Sequence, residues 1–403
     1  MKSLLNNHIP KIVLAIISGL LIMSSCRKES FSPEQAESFI KFFGSYEMNT
    51  GNAVKRIEDG GFAIIGTTTR NSTEKIILIL TDRFGNESRG SILFDSPHYS
   101  EAAGILTISD GGFAILGNTL TETSNRTFAS NIHLIRTDIF GDTLWTKNYG
   151  GHSNDIAYSL TETRDGGFII IGSSEDPVSG SLRTLLVKTD ASGDTLWTRK
   201  HGMAGHHEGR SVTETETGYI YTGYTKSFSL TGQANSNIFV AKTNALGRII
   251  HPVTFENAAN DSGVSILAHP EGGYLILGKT TNPETSAENV FLARLEENIS
   301  ETVWEKHFGG DSNLVPASFK ITENGNIAIA GTQKLTTRNH NIFLMETDPE
   351  GNMNFIKTYG DSHFQKASDL DLTEDGGYII TGTTGSGPNS MIMLIKTKPG
   401  GEL

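Results

Sequence analysis

Histidine and acidic side chains recur in the polar segments that separate the apolar stretches of this sequence. The ten that could do chemistry are His98, Glu101, His152, Asp155, His206, His207, Glu208, Asp261, Asp311 and His363. Histidine nitrogens and carboxylate oxygens are ligands for zinc and similar cations, so a divalent cation is one ligand that this set could hold. The same groups could hydrogen-bond a glycan or a peptide, although polar connecting segments are also exposed to solvent by default.

The sharpest local group among the ten is His206-His207-Glu208. Adjacent residues of an extended chain point in opposite directions, so these three side chains would not converge on one ion. We therefore predict no metal site and no cofactor, and we keep a divalent cation only as an alternative. The sequence also contains no G-x-S-x-G, H-E-x-x-H or Walker motif.

The elements that must position these residues are copies of one repeated unit. In each copy an aromatic residue, or once an isoleucine, stands four residues before a glycine. The seven pairs are Phe62/Gly66, Phe113/Gly117, Phe168/Gly172, Tyr219/Gly223, Tyr274/Gly278, Ile327/Gly331 and Tyr378/Gly382. The period, roughly 53 residues, lies in the range of repeats that form one structural unit each.

The third copy shows the parts of the unit. "IAYSLTET" (156–163) predicts a first strand, and the turn "RDGG" leads to a second strand, "FIIIG" (168–172). A variable polar loop precedes a third strand, "TLLVKTD" (184–190), and "ASGD" leads to a fourth strand, "TLWTRKHG" (195–202). Each copy thus predicts four antiparallel strands joined mostly by tight turns.

Apolar residues are consecutive in the second strand, where a sheet with one wet face would show alternation. Burial on both faces predicts sheets stacked between neighbours, as in the blades of a β-propeller. We interpret the glycine that closes each second strand as a turn residue; close passage of the next backbone is the alternative. The fold class is therefore all-β, a seven-bladed β-propeller of four-stranded antiparallel blades.

The two ends of the repeat region complement each other. The last copy has three strands and stops at Leu403, whereas "FIKFFG" at 39–44 resembles a fourth strand, "FIKTYG" at 355–360, without a unit before it. We predict that the N-terminal strand completes the last blade and closes the ring by ladder hydrogen bonds. Residues 39–403 then form the propeller.

The N-terminus carries a short apolar run, "IVLAIISGLLIM", after Lys2 and Lys11. The run is too short to span a bilayer and has the form of a secretory signal. Its end, with Ser24 and Ser25 before Cys26, resembles a bacterial lipoprotein signal, although Met23 stands where leucine is commoner. This resemblance implies a signal peptide over 1–25, lipidation of Cys26 and a polar tether over 26–38, with an ordinary cleaved signal as the alternative.

The net charge and the cysteine content limit the classes of partner and of metal site that this protein can have. The chain has a net charge of −12, and cleavage before Cys26 would remove two lysines and no acid. Such a surface repels nucleic acid and anionic lipid, so we predict no nucleic-acid partner and a membrane link through the acyl chains alone. Cys26 is the only cysteine, which excludes intrachain disulfides and thiolate metal sites.

Two resemblances to known families support this fold. "RTDIFGDTLW" at 136–145 and "KTDASGDTLW" at 188–197 resemble the tryptophan-bearing repeats of quinoprotein-type propellers, although only Trp145, Trp197 and Trp304 occur and no quinone site matches. Over about 365 residues the chain is more similar to bacterial lipoproteins and secreted proteins built from "DGGYIITGTT"-type repeats. That family implies a propeller in the cell envelope and no particular activity.

The predicted function is binding or scaffolding of protein or glycan partners by a lipid-anchored protein of the Gram-negative outer membrane. The links between blades and the loops between second and third strands share one face of a propeller, where binding sites commonly lie. We expect the ten residues above to project there, near the central opening. Phe128 and Phe228 in two long loops are further candidates. The alternative is a carbohydrate-active or other hydrolytic enzyme that uses the same face.

Overall fold

The computed structural model describes residues 38–403 except 45–46, 95, 97, 123–126, 203–204, 227–234 and 257–258. The chain separates into two units, Met1–Ala36 and Glu37–Leu403, and all described residues belong to the second. The predicted signal peptide, Cys26, most of the tether and Phe228 lie outside the described residues. Among the described residues no helix has the length and apolar character needed to cross a membrane.

Twenty-eight strands form seven sheets of four. Blade 1 contains β2 (Asn49–Arg56), β3 (Phe62–Arg70), β4 (Thr73–Thr81) and β5 (Ile92–Phe94). Blade 2 contains β6 (Ser100–Thr107), β7 (Phe113–Glu122), β8 (Phe128–Thr137) and β9 (Thr143–Tyr149). Blade 3 contains β10 (Asp155–Glu162), β11 (Phe168–Glu175), β12 (Leu182–Thr189) and β13 (Thr195–His201). Blade 4 contains β14 (His206–Glu214), β15 (Gly218–Lys226), β16 (Asn237–Asn244) and β17 (Ile249–Phe255).

The remaining blades follow the same plan. Blade 5 contains β18 (Ser262–Ala268), β19 (Tyr274–Thr281), β20 (Glu288–Leu295) and β21 (Thr302–Phe308). Blade 6 contains β22 (Leu314–Ile321), β23 (Ile327–Lys334), β24 (His340–Thr347) and β25 (Met353–Tyr359). Blade 7 contains β26 (Gln365–Leu372), β27 (Tyr378–Thr384), β28 (Met391–Thr397) and β1 (Phe39–Phe43), with short 3-10 turns at Gly387–Asn389 and Pro399–Gly401.

The N-terminal strand closes the ring, as the sequence predicts. β1 pairs antiparallel with β28, from Phe39 opposite Lys396 to Phe43 opposite Ile392. Blade 7 therefore has the strand order β1-β28-β27-β26, and the seven-bladed architecture of four-stranded antiparallel sheets is confirmed. The first and the last strands of the propeller therefore lie in one sheet, and the five residue pairs between β1 and β28 close the ring.

The core lies between the blades. In β11 every side chain from Phe168 to Ser174 is buried, which matches the consecutive apolar pattern of the second strands. The fourth strands alternate between half-buried and exposed residues, because they form the outer edge of each sheet. The hydrophobic clusters each join residues of two adjacent blades, so the ring is stabilised mainly by packing between sheets.

An aromatic residue near the start of most complete fourth strands links its blade to the next; β17 carries the exposed His251 at this position. Trp145 of blade 2 packs edge-on against Phe168 of blade 3, with ring centroids 6.3 Å apart. It also lies beneath Gly193 in the turn before β13, where a Cβ would come within 2.7 Å of the indole ring. Gly193 has φ +78°, so glycine is required there both by conformation and by space. The contact joins the tryptophan of one motif to the glycine of the next, and it gives both motif residues a structural role.

β1 uses the same contact across the closure. Phe39 packs edge-on against Phe62 of blade 1, with centroids 6.4 Å apart, and its ring lies beside Gly85 in the turn before β5. Lys41 Nζ donates to Asn86 Oδ1 at 3.0 Å. The N-terminal strand therefore completes blade 7 and also joins it to blade 1. It enters the ring on the side of the turns between third and fourth strands, which we name the turn face.

The glycines that close the second strands are not turn residues, so that interpretation was wrong. Gly172 lies inside β11, opposite Ala157, where β10 has a β-bulge between Ala157 and Ser159. A Cβ on Gly172 would overlap the carbonyl oxygen of Ile156. The glycine is needed because the bulged first strand passes very close, which is the alternative that the sequence offered.

A buried cation on the third strand holds the turn between the first two strands. Lys188 Nζ, almost fully buried, contacts Asp165 Oδ2 at 2.9 Å and donates to the carbonyl of Thr189 at 2.7 Å. The same pair recurs as Arg136 with Asp110 and as Lys396 with Asp375. These ion pairs give the acidic "DGG" turns at Asp110, Asp165 and Asp375 a structural role.

The Asp165 pair predicts an acid-dependent loss of stability. Burial alone would raise the pKa of Asp165, but hydrogen bonds from Thr163, Lys188 and Gly167, with the charge of Lys188, lower that pKa to about 2. A depressed folded-state pKa stabilises the protein above the unfolded value near 4 and loses that contribution as the pH falls towards 2. Because Asp165 is 57% exposed, we expect at most ~1 kcal/mol.

Urea unfolding at pH 5 and pH 2.5 measures this effect. Asp165→Asn should lose less free energy of unfolding between the two pH values than the parent does. The matched control is Asp59→Asn, because Asp59 occupies the same turn in the blade whose third strand carries Leu80 instead of a cation. Equal pH slopes for the parent and Asp165→Asn would contradict the prediction.

Candidate functional site

The central channel is a narrow polar cavity of about 290 Å³, lined by the middle residues of all seven first strands. Lys55 Nζ of blade 1 and Asp369 Oδ2 of blade 7 form an ion pair at 3.0 Å inside it. Burial alone would raise the pKa of Asp369, but Lys55 and Lys320 lower it, so the carboxylate stays ionised. Asp369 also accepts hydrogen bonds from Val54 N and Ser318 Oγ, which makes this pair a further link across the closure.

None of the ten residues singled out in the sequence, all of which the structure describes, lines this channel. Glu208 nevertheless contacts Arg210, which does line the channel, and the binding role of the ten residues stays a prediction. They lie instead at successive junctions between neighbouring blades, on the face formed by the loops between second and third strands and by the blade-to-blade links. We name this face the loop face; among the described residues it brings together only the members of one junction at a time.

Several of the ten make structural contacts within a blade or a link, and His206 joins two blades. Asp261 is 2% exposed and accepts from Thr281 N at 3.0 Å, and Asp155 is 3% exposed and accepts from Gly151 N at 3.1 Å. His206 Nδ1 accepts from Leu182 N at 3.2 Å. His207 packs edge-on against Phe239, with centroids 6.3 Å apart. These four side chains hold strands and links together.

Glu208 is also buried, and it pairs with Arg210, whose guanidinium lies 4.1 Å above the ring of Tyr158. Neutralising Glu208 would leave this cation unpaired. Such a variant would therefore lose folding stability whether or not Glu208 takes part in an activity. The residues that remain on the surface are few. His98 packs against Phe128 at 5.0 Å, Glu101 accepts from Tyr99 Oη at 3.0 Å, and His152 and Asp311 are exposed.

His363 lies in a different setting, in a cleft of about 720 Å³ between blades 6 and 7 on the loop face. Its Nδ1 is 2.8 Å from Asp361 Oδ1, which also accepts from Gln365 Nε2 at 2.7 Å. The hydrogen bonds from His363 lower the pKa of Asp361, so its Oδ2 remains an acceptor. Arg338 and Asn389 also line the cleft.

The first departure from the repeat in this cleft is Phe42 on β1. Phe42 is 52% exposed and pairs with Met393, which pairs with the glycine of β27 on its other side. The equivalent positions in the five full-length outer strands are all polar: Asn148, Lys200, Thr254, His307 and Thr358. The three-residue β5 carries Leu93 there, packed against the core. An exposed aromatic ring at this position is thus specific to blade 7.

The second departure is Phe364, in the link that leads into blade 7. At four other junctions the equivalent residue accepts a hydrogen bond from the backbone N–H at the start of the preceding blade's third strand. These pairs are Asn154 with Ser130, His206 with Leu182, Asn260 with Ser236 and Asn313 with Glu288. A phenyl ring cannot accept that bond, and Phe364 instead packs on His340 at 4.8 Å while lining the cleft.

Of the residues that line this cleft, His363 is predicted from the sequence, whereas Phe42, Phe364 and Arg338 are not. An alignment of the seven copies draws attention to the two phenylalanines, because five copies carry a polar residue at the Phe42 position and four at the Phe364 position. The remaining copies carry Leu93, and Met48 and Tyr99, respectively. Arg338 has no such signal. The described residues contain no group of three or more His, Cys, Asp or Glu side chains arranged to hold a metal ion.

Comparison with known proteins identifies the fold and little more. No family model matches the chain. The regulatory protein FlaEY of Caulobacter vibrioides is 21% identical over 248 residues, which are 54% of this chain and 26% of that protein. This chain therefore spans about a quarter of the length of the curated relative.

Solved structures with the same architecture are similarly distant in sequence. Puromycin hydrolase aligns with a TM-score of 0.54 at 11% identity, over 83% of this chain and 50% of the hydrolase. The β-propeller domain of the Trilobed protease from Pyrococcus furiosus aligns with a TM-score of 0.49 at 12% identity, over 89% and 94% of the two chains. The puromycin hydrolase alignment supports the propeller fold alone.

Proposed function

We propose that this protein is a lipoprotein of the Gram-negative cell envelope, anchored in the outer membrane through Cys26, whose propeller binds a protein or glycan partner with its loop face. Anchoring rests on the apolar run that ends at Cys26, the only cysteine of the chain. Binding rests on the cleft between blades 6 and 7, where two aromatic residues line one cavity at positions that are polar in most other blades.

The cleft is the observation that carries this proposal. The polar residues at the other junctions are largely engaged between blades. Phe42, by contrast, stacks on no other aromatic ring of the described residues and remains half exposed. Exposed aromatic side chains in a concave site contribute strongly to recognition. Binding or scaffolding also agrees with the description of the relative FlaEY as a regulatory protein.

Fractionation of cells that express the full chain tests the anchor. The parent should sediment with outer membranes and carry the mass of a lipidated N-terminal cysteine, whereas Cys26→Ser should be released into the soluble fraction. A parent chain without a lipid would contradict the proposed membrane anchor.

Affinity capture from solubilised membranes tests the binding face. A partner retained by the parent should be lost from Phe42→Ser, which leaves the core of the ring intact because Phe42 is exposed. The matched control is Phe140→Ser, a similarly exposed phenylalanine on the turn face of blade 2. A partner that is lost from the control, or kept by Phe42→Ser, would place binding elsewhere.

A further inference from the structure

The cleft between blades 6 and 7 is larger than two other pockets of the ring. One of these lies beside Lys200 and His152 and has a volume of about 200 Å³; the other lies within blade 5, beside His307, and has about 410 Å³. The cleft at Phe42 has about 720 Å³, which is within the range of pockets that hold small ligands.

The cleft is lined by aromatic side chains and by side chains that can form hydrogen bonds. Phe42 and Phe364 offer aromatic surfaces, on which the C–H face of a sugar ring can stack. Arg338 and Asn389 offer N–H donors, and Asp361 Oδ2 offers an acceptor whose partner oxygen is held by His363 and Gln365. A carboxylate, a guanidinium and an amide together match the mixed donor and acceptor pattern of vicinal hydroxyl groups.

The charge of the cleft favours a neutral ligand. The molecule as a whole carries −12, but in the cleft Arg338 balances Asp361. One guanidinium already offset by a carboxylate is a weak site for a phosphate or carboxylate ligand. A cationic ligand would find a single carboxylate that already accepts two hydrogen bonds at one oxygen.

We propose that the cleft between blades 6 and 7 binds a neutral oligosaccharide, which stacks on Phe42 and Phe364 and hydrogen-bonds to Asp361, Arg338 and Asn389. This inference rests on the proposed function, because it specifies the ligand class of the same binding face. A peptide segment with an apolar side chain is the other occupant that such a cleft could take, and the experiment separates the two.

Isothermal titration of the full chain, in a detergent without a sugar headgroup, provides the test. The probes are maltotriose, cellotriose, mannotriose and the trisaccharide of N-acetylglucosamine. At least one should bind with a Kd of about 1 mM or tighter. Phe42→Ser should weaken that binding by about tenfold or more through the loss of one stacking surface.

Phe364→Asn is the second variant, because asparagine is the residue found at three equivalent junctions and can restore the hydrogen bond to the third strand. It should fold well and still bind the saccharide about tenfold more weakly. Phe140→Ser, on the turn face and remote from the cleft, should bind like the parent.

Three outcomes would overturn the inference. One is no binding of any of the four probes, another is saccharide binding that neither phenylalanine variant weakens, and the last is Phe42-dependent capture of a protein that the saccharides do not displace. The last outcome would preserve the proposed binding function and reject only the ligand class. A chain that binds a saccharide but carries no lipid would instead reject the anchor alone.

Discussion

A rearranged chain that begins at Glu47 and carries residues 38–46 after Leu403 should fold into the same ring and unfold at a temperature no lower than the parent. The reason is that the C-terminus already has the form of a turn between third and fourth strands. Lys398 N donates to Glu402 O at 2.8 Å, as Asp348 N donates to Asn352 O at 2.9 Å in blade 6. Gly401 lies beside Phe355 as Gly193 lies beside Trp145.

The strand register of blade 6 indicates that Leu403 and Ser38 can be joined by one peptide bond. In blade 6, Met353 and Asn354 follow the turn and lead to Phe355, the aromatic residue that links the blades. In blade 7, Leu403 and Ser38 occupy the corresponding places before Phe39. A peptide bond from Leu403 to Ser38 therefore completes an ordinary hairpin, and ring closure no longer requires the two chain ends to meet.

Thermal unfolding followed by circular dichroism compares the parent, the rearranged chain and a chain truncated to 47–403. The truncated chain should be strongly destabilised, because it exposes the edge of β28 and removes Phe39 and Phe43 from the interface with blade 1. If the rearranged chain unfolds at the same temperature as the truncated chain, or if truncation does not lower the unfolding temperature, pairing of β1 with β28 does not stabilise the protein.

Gly172→Ala should destabilise the protein by about 3 kcal/mol, the upper range for a buried steric clash. Its Cβ would overlap the carbonyl oxygen of Ile156, a backbone atom that cannot move by a change of rotamer. Relief would require β10 and β11 to separate at the β-bulge, which would weaken the ladder and the packing against blade 4.

The matched control is Gly151→Ala. Gly151 is exposed, and a Cβ added there would meet no atom of the described residues within 4 Å. That change should alter the free energy of unfolding by no more than about 1 kcal/mol. Denaturant unfolding measures both values. A Gly172→Ala protein as stable as the control would show that the close passage of the strands does not require glycine.

Much of the architecture could be predicted from the sequence because it depends on a repeated pattern. Consecutive apolar residues such as those at 168–171 indicate burial on both faces, and the unpaired "FIKFFG" determines where the ring closes. The role of Gly172 could not be derived in this way. Its cause is a bulge in the neighbouring strand, and a bulge leaves no reliable mark on local composition.

The candidate site was harder to predict, since chemical type alone does not distinguish a ligand-binding residue from a structural one. Asp261 and His206 look reactive in the sequence but bond to the backbone of a neighbouring strand or blade. Phe42 looks like a core residue of a strand, yet it is half exposed. The informative signal is departure from the repeat, because a repeat defines what the fold requires at each position.

The position of Phe42 on β1 has a mechanical consequence. Tension applied at the N-terminal end of β1 would act first on Phe39 and would peel the strand from β28 one bond after another towards Phe43. A ligand bound to Phe42 would oppose the separation of β1 from β28 at the last of these hydrogen bonds. The strength of such a ring under load would then depend on whether its cleft is filled.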